Sequence, residues 1–188
     1  MKVLHIDSSI LSSASVSREL SQAIVEQLKV KHADLTVDYL DLAEQPIPHL
    51  DAEILMGKNA EQAALSEKII EQYLTADVVV IGAAMYNFGL TSTLKAWIDR
   101  ICVAGRTFKY TENGSVGLAT DKKTYIASSR GGVYGDNSPA DFQEAMLKTV
   151  LNFTGVTDIE VIRAEGVSMG AEMKEKAMQA ALSDIKNI

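Results

Sequence analysis

Six serines fall within residues 8–17, immediately before a segment with the apolar spacing of an α-helix. A helix N-terminus has unpaired backbone N–H groups and the positive end of the helix dipole, and both favour an anion. Hydroxyl groups at that point add hydrogen-bond donors, so the segment predicts a site for a monophosphate. The glycine loops that hold a pyrophosphate or triphosphate, G-x-G-x-x-G and G-x-x-x-x-G-K-[ST], are missing from the sequence. The alternative is that the serines only cap and solvate a loop. The six are Ser8, Ser9, Ser12, Ser13, Ser15 and Ser17.

A second candidate is the apolar and aromatic run Met85-Tyr86-Asn87-Phe88-Gly89. It connects a β-branched apolar stretch of strand length to a stretch with helical spacing. In a doubly wound sheet such a connection lies at the carboxyl end of its strand, where ligands bind. The run therefore indicates the wall of a pocket for a flat ring. Simple packing of Met85, Tyr86 and Phe88 beneath a loop is the alternative.

The third candidate is Ser129-Arg130-Gly131-Gly132, which follows another apolar strand. Two adjacent glycines allow backbone N–H groups to come close to a ligand. A lone Gly-Gly pair is equally typical of a plain loop.

Other kinds of site have weaker support. His5, His32 and His49 lack the spacing of metal ligands, and no G-x-S-x-G nucleophile elbow occurs. Asp7 and Glu165 are expected to be structural or solvent-facing rather than general acids. Cys102 is the single cysteine, so an intramolecular disulfide is impossible, and its flanks predict an inert thiol at the end of a buried helix.

The elements that would position these loops alternate between strand and helix. Predicted strands are Val3 to Ile6, Leu35 to Tyr39, Val78 to Ala83, Lys123 to Ser128 and Ile159 to Ala164. Predicted helices are one with Leu20, Ile24 and Leu28 on its core face, Ala60 to Leu74, Thr91 to Arg100, one that begins at Ser138-Pro139, and Met173 to Ile188. Asn113-Gly114 predicts an irregular hairpin within residues 105–117.

This alternation predicts a single α/β domain over residues 1–188, with a five-stranded parallel sheet covered by helices on both faces. The second strand alternates polar and apolar residues, as expected at an edge, so the strand order should be 2-1-3-4-5. In that order the first, third and fourth strands are neighbours. The three candidate loops would then meet at the switch point between the first and third strands.

Composition limits the classes of partner. The chain has 188 residues, 47% of them hydrophobic, and a formal net charge of −7. Without a run of Lys or Arg to offset it, this charge argues against nucleic acid and anionic membranes. No segment has the apolar length of a signal peptide or a membrane span, so we expect a cytoplasmic protein.

The motifs resemble those of one known family in order and in identity. They are Ser-Ser-Ile-Leu at Ser8, Ser-x-Ser at Ser15, Met-Tyr-Asn-Phe at Met85, Phe-Lys-Tyr-Thr-Glu-Asn-Gly at Phe108, Ser-Arg-Gly-Gly at Ser129 and Ala-Glu-Gly at Ala164. The family is that of the FMN-dependent NADH-azoreductases, also described as FMN-dependent NADH:quinone oxidoreductases, of the flavodoxin-like superfamily. The resemblance covers nearly the whole chain and implies a flavodoxin-like three-layer sandwich.

The resemblance also implies roles for individual residues. The FMN phosphate would be held by Ser9, Ser15, Val16 and Ser17. The isoalloxazine ring and its polar edge would be held by Met85, Tyr86, Asn87, Phe88, Ser129, Arg130, Gly131 and Gly132. The substrate space would be bordered by Phe88, Tyr110 and Phe153, in a homodimer whose two pockets draw on both subunits. Two departures from the family pattern concern substrate range: Ala84 stands where the family has Pro, and the segment from Leu50 to Ser66 is shorter than its counterpart.

The implied activity is two-electron reduction of quinones and reductive cleavage of azo compounds. FMN would accept hydride from NADH at N5 and pass it on by ping-pong chemistry. The sequence leaves open NADH or NADPH as donor and the identity of the physiological acceptor. A non-enzymatic flavodoxin-like electron carrier and an NAD(P)H-dependent flavin reductase are the alternatives. A receiver domain is disfavoured, because it would have clustered acids after the first strand, where Asp7 stands alone, and an Asp at the position of Met85.

Overall fold

The protein forms a five-stranded parallel sheet in the order β2-β1-β3-β6-β7, seen in a computed structural model that describes residues 1–136 and 138–188. Its strands are β1 (Lys2–Asp7), β2 (Thr36–Asp41), β3 (Val78–Ala84), β6 (Lys123–Ser129) and β7 (Asp158–Ala164). Counted along the chain, these are the first to fifth sheet strands, so the predicted order 2-1-3-4-5 is confirmed. The predicted hairpin is β4 (Phe108–Thr111) with β5 (Gly114–Gly117), and Gly114 takes φ of 110° at its turn.

Helices cover both faces of the sheet. They are α1 (Val16–Lys31), α2 (Ala52–Leu55), α3 (Ala60–Thr75), α4 (Ser92–Ile101), α5 (Phe142–Thr154) and α6 (Ala171–Ile185), with a 3-10 turn at Ser12–Ala14. Strand β3 is buried throughout, and its alternate side chains serve two cores. Val79 and Ile81 pack under α3, α4 and α5, whereas Val78 and Val80 pack under α1 and α6. A fully apolar strand is therefore what a central parallel strand requires.

The start of α5 corrects the sequence prediction. The sequence predicts that Ser138-Pro139 opens this helix, but the helix begins at Phe142. Asp141 is its cap, and its carboxylate accepts the Glu144 N–H at 3.0 Å. The Ser138 carbonyl instead accepts the Asp141 N–H at 3.0 Å and closes a turn. Aspartate and serine are comparable caps, so the local pattern does not decide between them. The one-turn helix α2, capped by Asp51, lies where the sequence analysis predicts no element.

Helix α1 lies close against the sheet at Gly82 of β3. A Cβ atom built at this residue would lie 2.2 Å from Asp7 Oδ1, 3.1 Å from Ser21 Oγ and 3.3 Å from the Ser17 carbonyl oxygen. Only glycine leaves room for this contact. The glycine thereby lets the first turn of α1 sit directly over the carboxyl ends of β1 and β3.

Across the described parts of the chain, 1–136 and 138–188, no helix combines the length and apolarity needed to cross a membrane.

Candidate functional site

The carboxyl ends of β1, β3 and β6 are joined by hydrogen bonds. Ser8 Oγ donates to the Gly82 carbonyl at 2.8 Å, linking β1 to β3. The Met85 N–H donates to the Ser129 carbonyl at 2.9 Å, linking β3 to β6. The structure thus brings the three candidate loops to one edge of the sheet.

A buried glutamine that sequence analysis did not single out reinforces this edge. Gln143 on α5 is fully buried, accepts from Ser128 Oγ at 3.0 Å and donates to the Ala83 carbonyl at 3.0 Å. One amide therefore ties α5 to both central strands. The signal available in the sequence was the polar amide of Gln143 within an apolar face of the helix.

The serine loop ends at a capped helix. Ser15 is the N-cap of α1, and its Oγ accepts the Arg18 N–H at 3.3 Å. Ser15 Oγ and Ser17 Oγ lie 3.2 Å apart and both side chains are buried. Because one hydroxyl must donate to the other, the remaining hydroxyl proton has no acceptor among the residues that the structure describes. The N–H groups of Val16 and Ser17, in the first helical turn, likewise have no intrahelical acceptor.

Arg18, the residue after Ser17, is bound both to the serine loop and to the end of β2. Its guanidinium donates to the Ser9 carbonyl through Nε at 3.2 Å and Nη2 at 2.9 Å, and to Asp41 Oδ1 through Nη2 at 2.7 Å. Its Nη1 also donates to the hydroxyl of Tyr39 at 3.2 Å. Hydrogen bonding from Arg18, opposed by burial, lowers the pKa of Asp41 below its ordinary 3.8. The sequence analysis did not identify Arg18 or Asp41 as part of the site.

Behind the serine loop lies a buried polar cluster. Asp7 accepts from Ser21 Oγ at 2.7 Å and from the Tyr39 hydroxyl at 3.0 Å, and His5 Nε2 is 3.0 Å from Ser21 Oγ. Burial and the charge of Asp7 raise the pKa of Tyr39. Asp7 is therefore occupied by structural hydrogen bonds, as the sequence analysis expected.

The loop after β3 is a tight reversal with strained backbone. Tyr86 and Gly89 exchange hydrogen bonds at 3.1 and 3.0 Å, which places Asn87 and Phe88 at the two central positions of the turn. Asn87 has φ of 48° and Phe88 has φ of 70°. A left-handed aromatic residue is unusual, and strain of this kind clusters at functional sites. The turn leaves Phe88 half-exposed, and the Tyr86 hydroxyl lies 3.4 Å from Ser9 Oγ.

Ser129 to Gly132 divide into two pairs with different environments. The Arg130 N–H donates to the Ala164 carbonyl at 2.9 Å, whereas the N–H groups of Gly131 and Gly132 have no acceptor in the described part of the chain. The carbonyls of Gly131 and Gly132 are bound by Ser168 and Gly166. The two glycines are thus held from one side and present their N–H groups on the other.

The side chain of Arg130 is fully buried among carboxylates. Its Nη2 lies 2.6 Å from Asp141 and 2.5 Å from Glu144, and its Nη1 lies 3.1 Å from Glu165. Glu165 also accepts the N–H groups of Tyr134 and Gly135 at 3.3 and 3.2 Å. The guanidinium therefore connects β6, β7, α5 and the intervening loop, and Glu165 has a structural role.

The three residues predicted to border the substrate fall into two groups in one subunit. Phe88 packs edge-on against Tyr134, a residue that sequence analysis did not identify, with ring centroids 6.2 Å apart. Phe153 and Tyr110 instead flank Phe108, at 4.3 and 5.4 Å between centroids.

These two groups lie at opposite ends of α5. The Phe88 carbonyl accepts the N–H of Phe142 at the start of the helix, at 3.1 Å, whereas Phe153 is near its end. At about 1.5 Å per residue, the two ends are roughly 16 Å apart. The structure does not bring Phe88 and Phe153 together within one subunit.

Two cavities open at this edge of the sheet. One, of about 470 Å³, is lined by Ile10, Tyr86, Asn87, Gly89, Leu90, Thr91, Ser92 and Thr93. The other, of about 460 Å³, adjoins the serine loop and is lined by Asp7, Ser12, Ser13, Ser15, Arg18, Glu19, Gln22, Tyr39, Asp41 and Glu44. Ligand space is therefore available next to the serine loop and next to the turn after β3.

Comparison with known proteins places this architecture in a family. The model of a family with a flavodoxin-like fold matches residues 1–188. An FMN-dependent NADH:quinone oxidoreductase of Stenotrophomonas maltophilia is 53% identical over 183 residues, which cover 97% of this chain and 93% of that protein. Another protein of that name, from Azospirillum brasilense, is 52% identical and covers 98% and 96% of the two chains.

Solved structures agree with the sequence comparisons. The crystal structure of an azoreductase from Bacillus anthracis superposes with a TM-score of 0.90 at 30% identity and covers 100% of this chain and 97% of that one. An FMN-dependent NADH-azoreductase of the same species, solved in complex with FMN, gives 0.85 at 26% identity, with 99% and 98% covered. The chain is an oxidoreductase that belongs to the flavodoxin-like family of the FMN-dependent NADH:quinone oxidoreductases.

Proposed function

We propose that this protein binds FMN and uses it to transfer electron pairs from NADH to quinones, giving hydroquinones, and to aromatic azo compounds, giving amines. The observation that carries the proposal is the meeting of a hydroxyl-rich helix N-terminus with a strained aromatic turn on neighbouring strand ends. The names of the relatives, and the FMN complex of one structural neighbour, support the choice of cofactor.

The phosphate end of FMN fits the serine loop. Ser9, Ser15 and Ser17 supply hydroxyls, Val16 and Ser17 supply unpaired N–H groups, and a hydroxyl proton of the Ser15–Ser17 pair lacks an acceptor in the described residues. Hydrogen bonds to a charged group contribute about 1.5–3 kcal/mol each. Three or four of them, together with the helix dipole, compensate for the absence of a basic side chain directed into the loop.

The ring end of FMN fits the other two loops. Met85, Tyr86, Asn87 and Phe88 would form one wall, and the N–H groups of Gly131 and Gly132 would donate to the polar edge of the ring. Ser129 would act through its carbonyl, which accepts the Met85 N–H and so joins the two loops. Arg130 would act indirectly, because its side chain is bound to carboxylates and its N–H to Ala164.

When bound, FMN supplies the hydride-accepting and hydride-donating centre, so the protein needs no nucleophile of its own. The residues described here bind and orient. The N–H groups of Gly131 and Gly132 would stabilise negative charge on the ring, since fixed donors in a site shielded from water act strongly. Phe88 and the turn that carries it exclude water and limit the substrate to planar molecules.

Phe88, Tyr110 and Phe153 can border one substrate space only if two subunits contribute. Within one subunit Phe88 and Phe153 are separated by the length of α5, yet residues Tyr110 and Phe88 are 75% and 50% exposed. We therefore include a homodimer in the proposal, with the hairpin and the α5 end of one subunit placed over the Phe88 turn of its partner. A C2 interface would create two identical pockets.

An absorbance spectrum and a kinetic experiment test the proposal. The purified protein should show flavin absorbance, and NADH should bleach it in anaerobic stopped-flow before any acceptor is added. A quinone should then restore it in one two-electron step, with parallel-line initial-rate patterns and one NADH consumed per quinone. An azo dye should consume two NADH, because complete cleavage to amines takes four electrons.

Each alternative predicts a different result in this experiment. An electron carrier would not be reduced by NADH, and a flavin reductase would release reduced FMN instead of transferring electrons to the quinone. Absence of bound flavin after supplementation with FMN would contradict the proposal altogether.

A further inference from the structure

We propose that Arg18 and Asp41 are positioning residues for the phosphate end of FMN, and that Arg18 acts by fixing the serine loop rather than by binding the phosphate. This inference rests on the proposed function. It concerns two residues whose contacts arise only in the folded chain, since they are 23 positions apart.

Arg18 holds both ends of the serine loop. Its guanidinium donates twice to the carbonyl of Ser9, at the start of the loop, through Nε at 3.2 Å and Nη2 at 2.9 Å. Its backbone N–H donates to the hydroxyl of Ser15, at the end of the loop, at 3.3 Å. One residue thereby sets the distance between two of the hydroxyls assigned to the phosphate.

Asp41 holds Arg18 in this orientation. Its two carboxylate oxygens take the two terminal nitrogens of Arg18, at 2.5 and 2.7 Å, in a bidentate pair. Asp41 is itself fixed at the end of β2, because it accepts the N–H groups of Ala43 and Glu44 at 3.0 and 3.2 Å. The serine loop is thus anchored to the edge strand of the sheet.

The charge of Arg18 is already compensated by neighbouring acids. Asp41 pairs with it directly and Asp7 Oδ2 lies 3.9 Å from Nη1. The third titratable group in contact with Arg18 is Tyr39, whose hydroxyl accepts from Nη1. Two carboxylates around one guanidinium leave no net positive charge for a phosphate to attract.

Lysine cannot replace arginine in this arrangement. The guanidinium fork donates to a carboxylate and to a carbonyl in one plane, whereas an ammonium is a point charge on a flexible stem. Arg18→Lys, which keeps the positive charge but loses the planar guanidinium, should therefore not preserve the site.

The direction in which Asp41→Asn changes FMN affinity distinguishes positioning from direct phosphate binding. We would dilute the holoprotein, follow free flavin by its fluorescence, and obtain the dissociation constant of FMN. Asp41→Asn should weaken FMN binding at least tenfold, because the loop loses its anchor. If Arg18 bound the phosphate through its charge, Asp41→Asn would release that charge and tighten binding. Tighter or unchanged binding would overturn the proposal.

Further variants separate this role from general destabilisation. Arg18→Gln and Arg18→Lys should each weaken FMN binding about as much as Asp41→Asn, and the Arg18→Gln/Asp41→Asn double variant should be no weaker than either single one. Lys29→Gln, which removes an exposed ion pair with Glu26 on the same helix, is the matched control and should stay within twofold of wild type. Full affinity in Arg18→Lys, or additive losses in the double variant, would contradict the proposal.

Riboflavin, which lacks the phosphate, provides the last comparison. Its affinity should be the same in Asp41→Asn and in wild type, and an equal loss for both ligands would assign the pair a merely structural role. The Ser15→Ala/Ser17→Ala variant serves as a reference in the same assay. If it binds FMN normally, the phosphate site and this inference both fail, whereas a weakened serine variant beside an unaffected Asp41→Asn would refute this inference alone.

Discussion

Ser15 and Ser17 are the single residues on which the proposed phosphate site depends most. Their hydroxyls are buried, paired with each other, and placed at the N-terminus of α1. The Ser15→Ala/Ser17→Ala variant should bind FMN at least tenfold more weakly, since it loses the hydroxyl donor that this pair offers to the phosphate. Retention of flavin after exhaustive dialysis would show that the phosphate lies elsewhere. Ser12→Ala/Ser13→Ala, exposed serines of the same loop, is the matched control.

Arg130 is the second residue whose contacts decide its role. Sequence resemblance assigns it to the cofactor, but its buried side chain is surrounded by Asp141, Glu144 and Glu165. Removal of one partner from a buried charge network costs about 3–5 kcal/mol. We expect Arg130→Met to lower the free energy of unfolding of the FMN-free chain by that amount in urea titrations.

The control for Arg130 is Arg106→Met. Arg106 pairs with Glu67 at the surface, where an ion pair contributes about 0–1 kcal/mol. If the two variants have similar unfolding free energies, the buried network is not the stabilising feature inferred here.

At the scale of elements, helix α1 and strand β3 are in close contact at Gly82. Gly82→Ala would place its Cβ 2.2 Å from a buried oxygen of Asp7, so the helix or the carboxylate must move. Overpacking of this kind costs about 1–3 kcal/mol. We expect lower stability in urea and, because the N-terminus of α1 is displaced, weaker FMN binding as well.

A comparison with an alanine already present sharpens this test. Ala83→Gly removes a buried methyl group from the next position on β3 without forcing α1 outward. It should reduce stability but leave FMN affinity unchanged. Equal effects of Gly82→Ala and Ala83→Gly on FMN affinity would contradict a positioning role for the helix contact.

The elements also show why parts of the chain were predicted and others were not. Strand β3 and helix α4 follow from apolar periodicity, which is a local property. The start of α5 was placed too early, because Ser138 and Asp141 are both good caps and the choice depends on contacts of the Phe142 N–H with the Phe88 carbonyl. Helix α2 is too short to leave a periodic pattern.

At the scale of the whole molecule, we expect low pH to reduce the free energy of unfolding. Hydrogen bonding from Arg18 lowers the pKa of Asp41. Burial alone would raise the pKa of Glu144, but the hydrogen bond from Arg163 and the charges of Arg130 and Arg163 outweigh it and lower that pKa from the ordinary 4.5. A carboxyl group with a depressed pKa in the folded state contributes stability above its unfolded pKa and loses it as pH falls. The unfolding free energy of the FMN-free chain should therefore fall between about pH 5 and pH 3.

The acid dependence has its own control. Asp41→Asn should lower stability at pH 7 and give a shallower decline below pH 5, because one of the responsible groups is gone. A stability that stays constant from pH 5 to pH 3 in the wild-type chain would be inconsistent with these ion pairs.

The dimer is the other prediction at this scale. Phe88→Ala and Tyr110→Ala should each lower quinone reductase activity. If each pocket takes Phe88 from one subunit and Tyr110 from the other, mixed dimers of the two variants contain one intact pocket. Dissociation and random re-association should restore roughly a quarter of the wild-type rate. No recovery would mean that both residues serve the same subunit's pocket.

The sequence by itself determined the five strands, their order and the positions of three loops at strand ends. Apolar periodicity and right-handed crossovers are local or topological constraints, so they can be read without coordinates. The tertiary structure alone decided which partners the charged and aromatic side chains take. It turned Arg18 toward Asp41, enclosed Arg130 among acids of α5 and of the segment after β7, and put Phe88 into a left-handed turn. Such pairings depend on distances between residues far apart in the chain, and no spacing in the sequence encodes those distances.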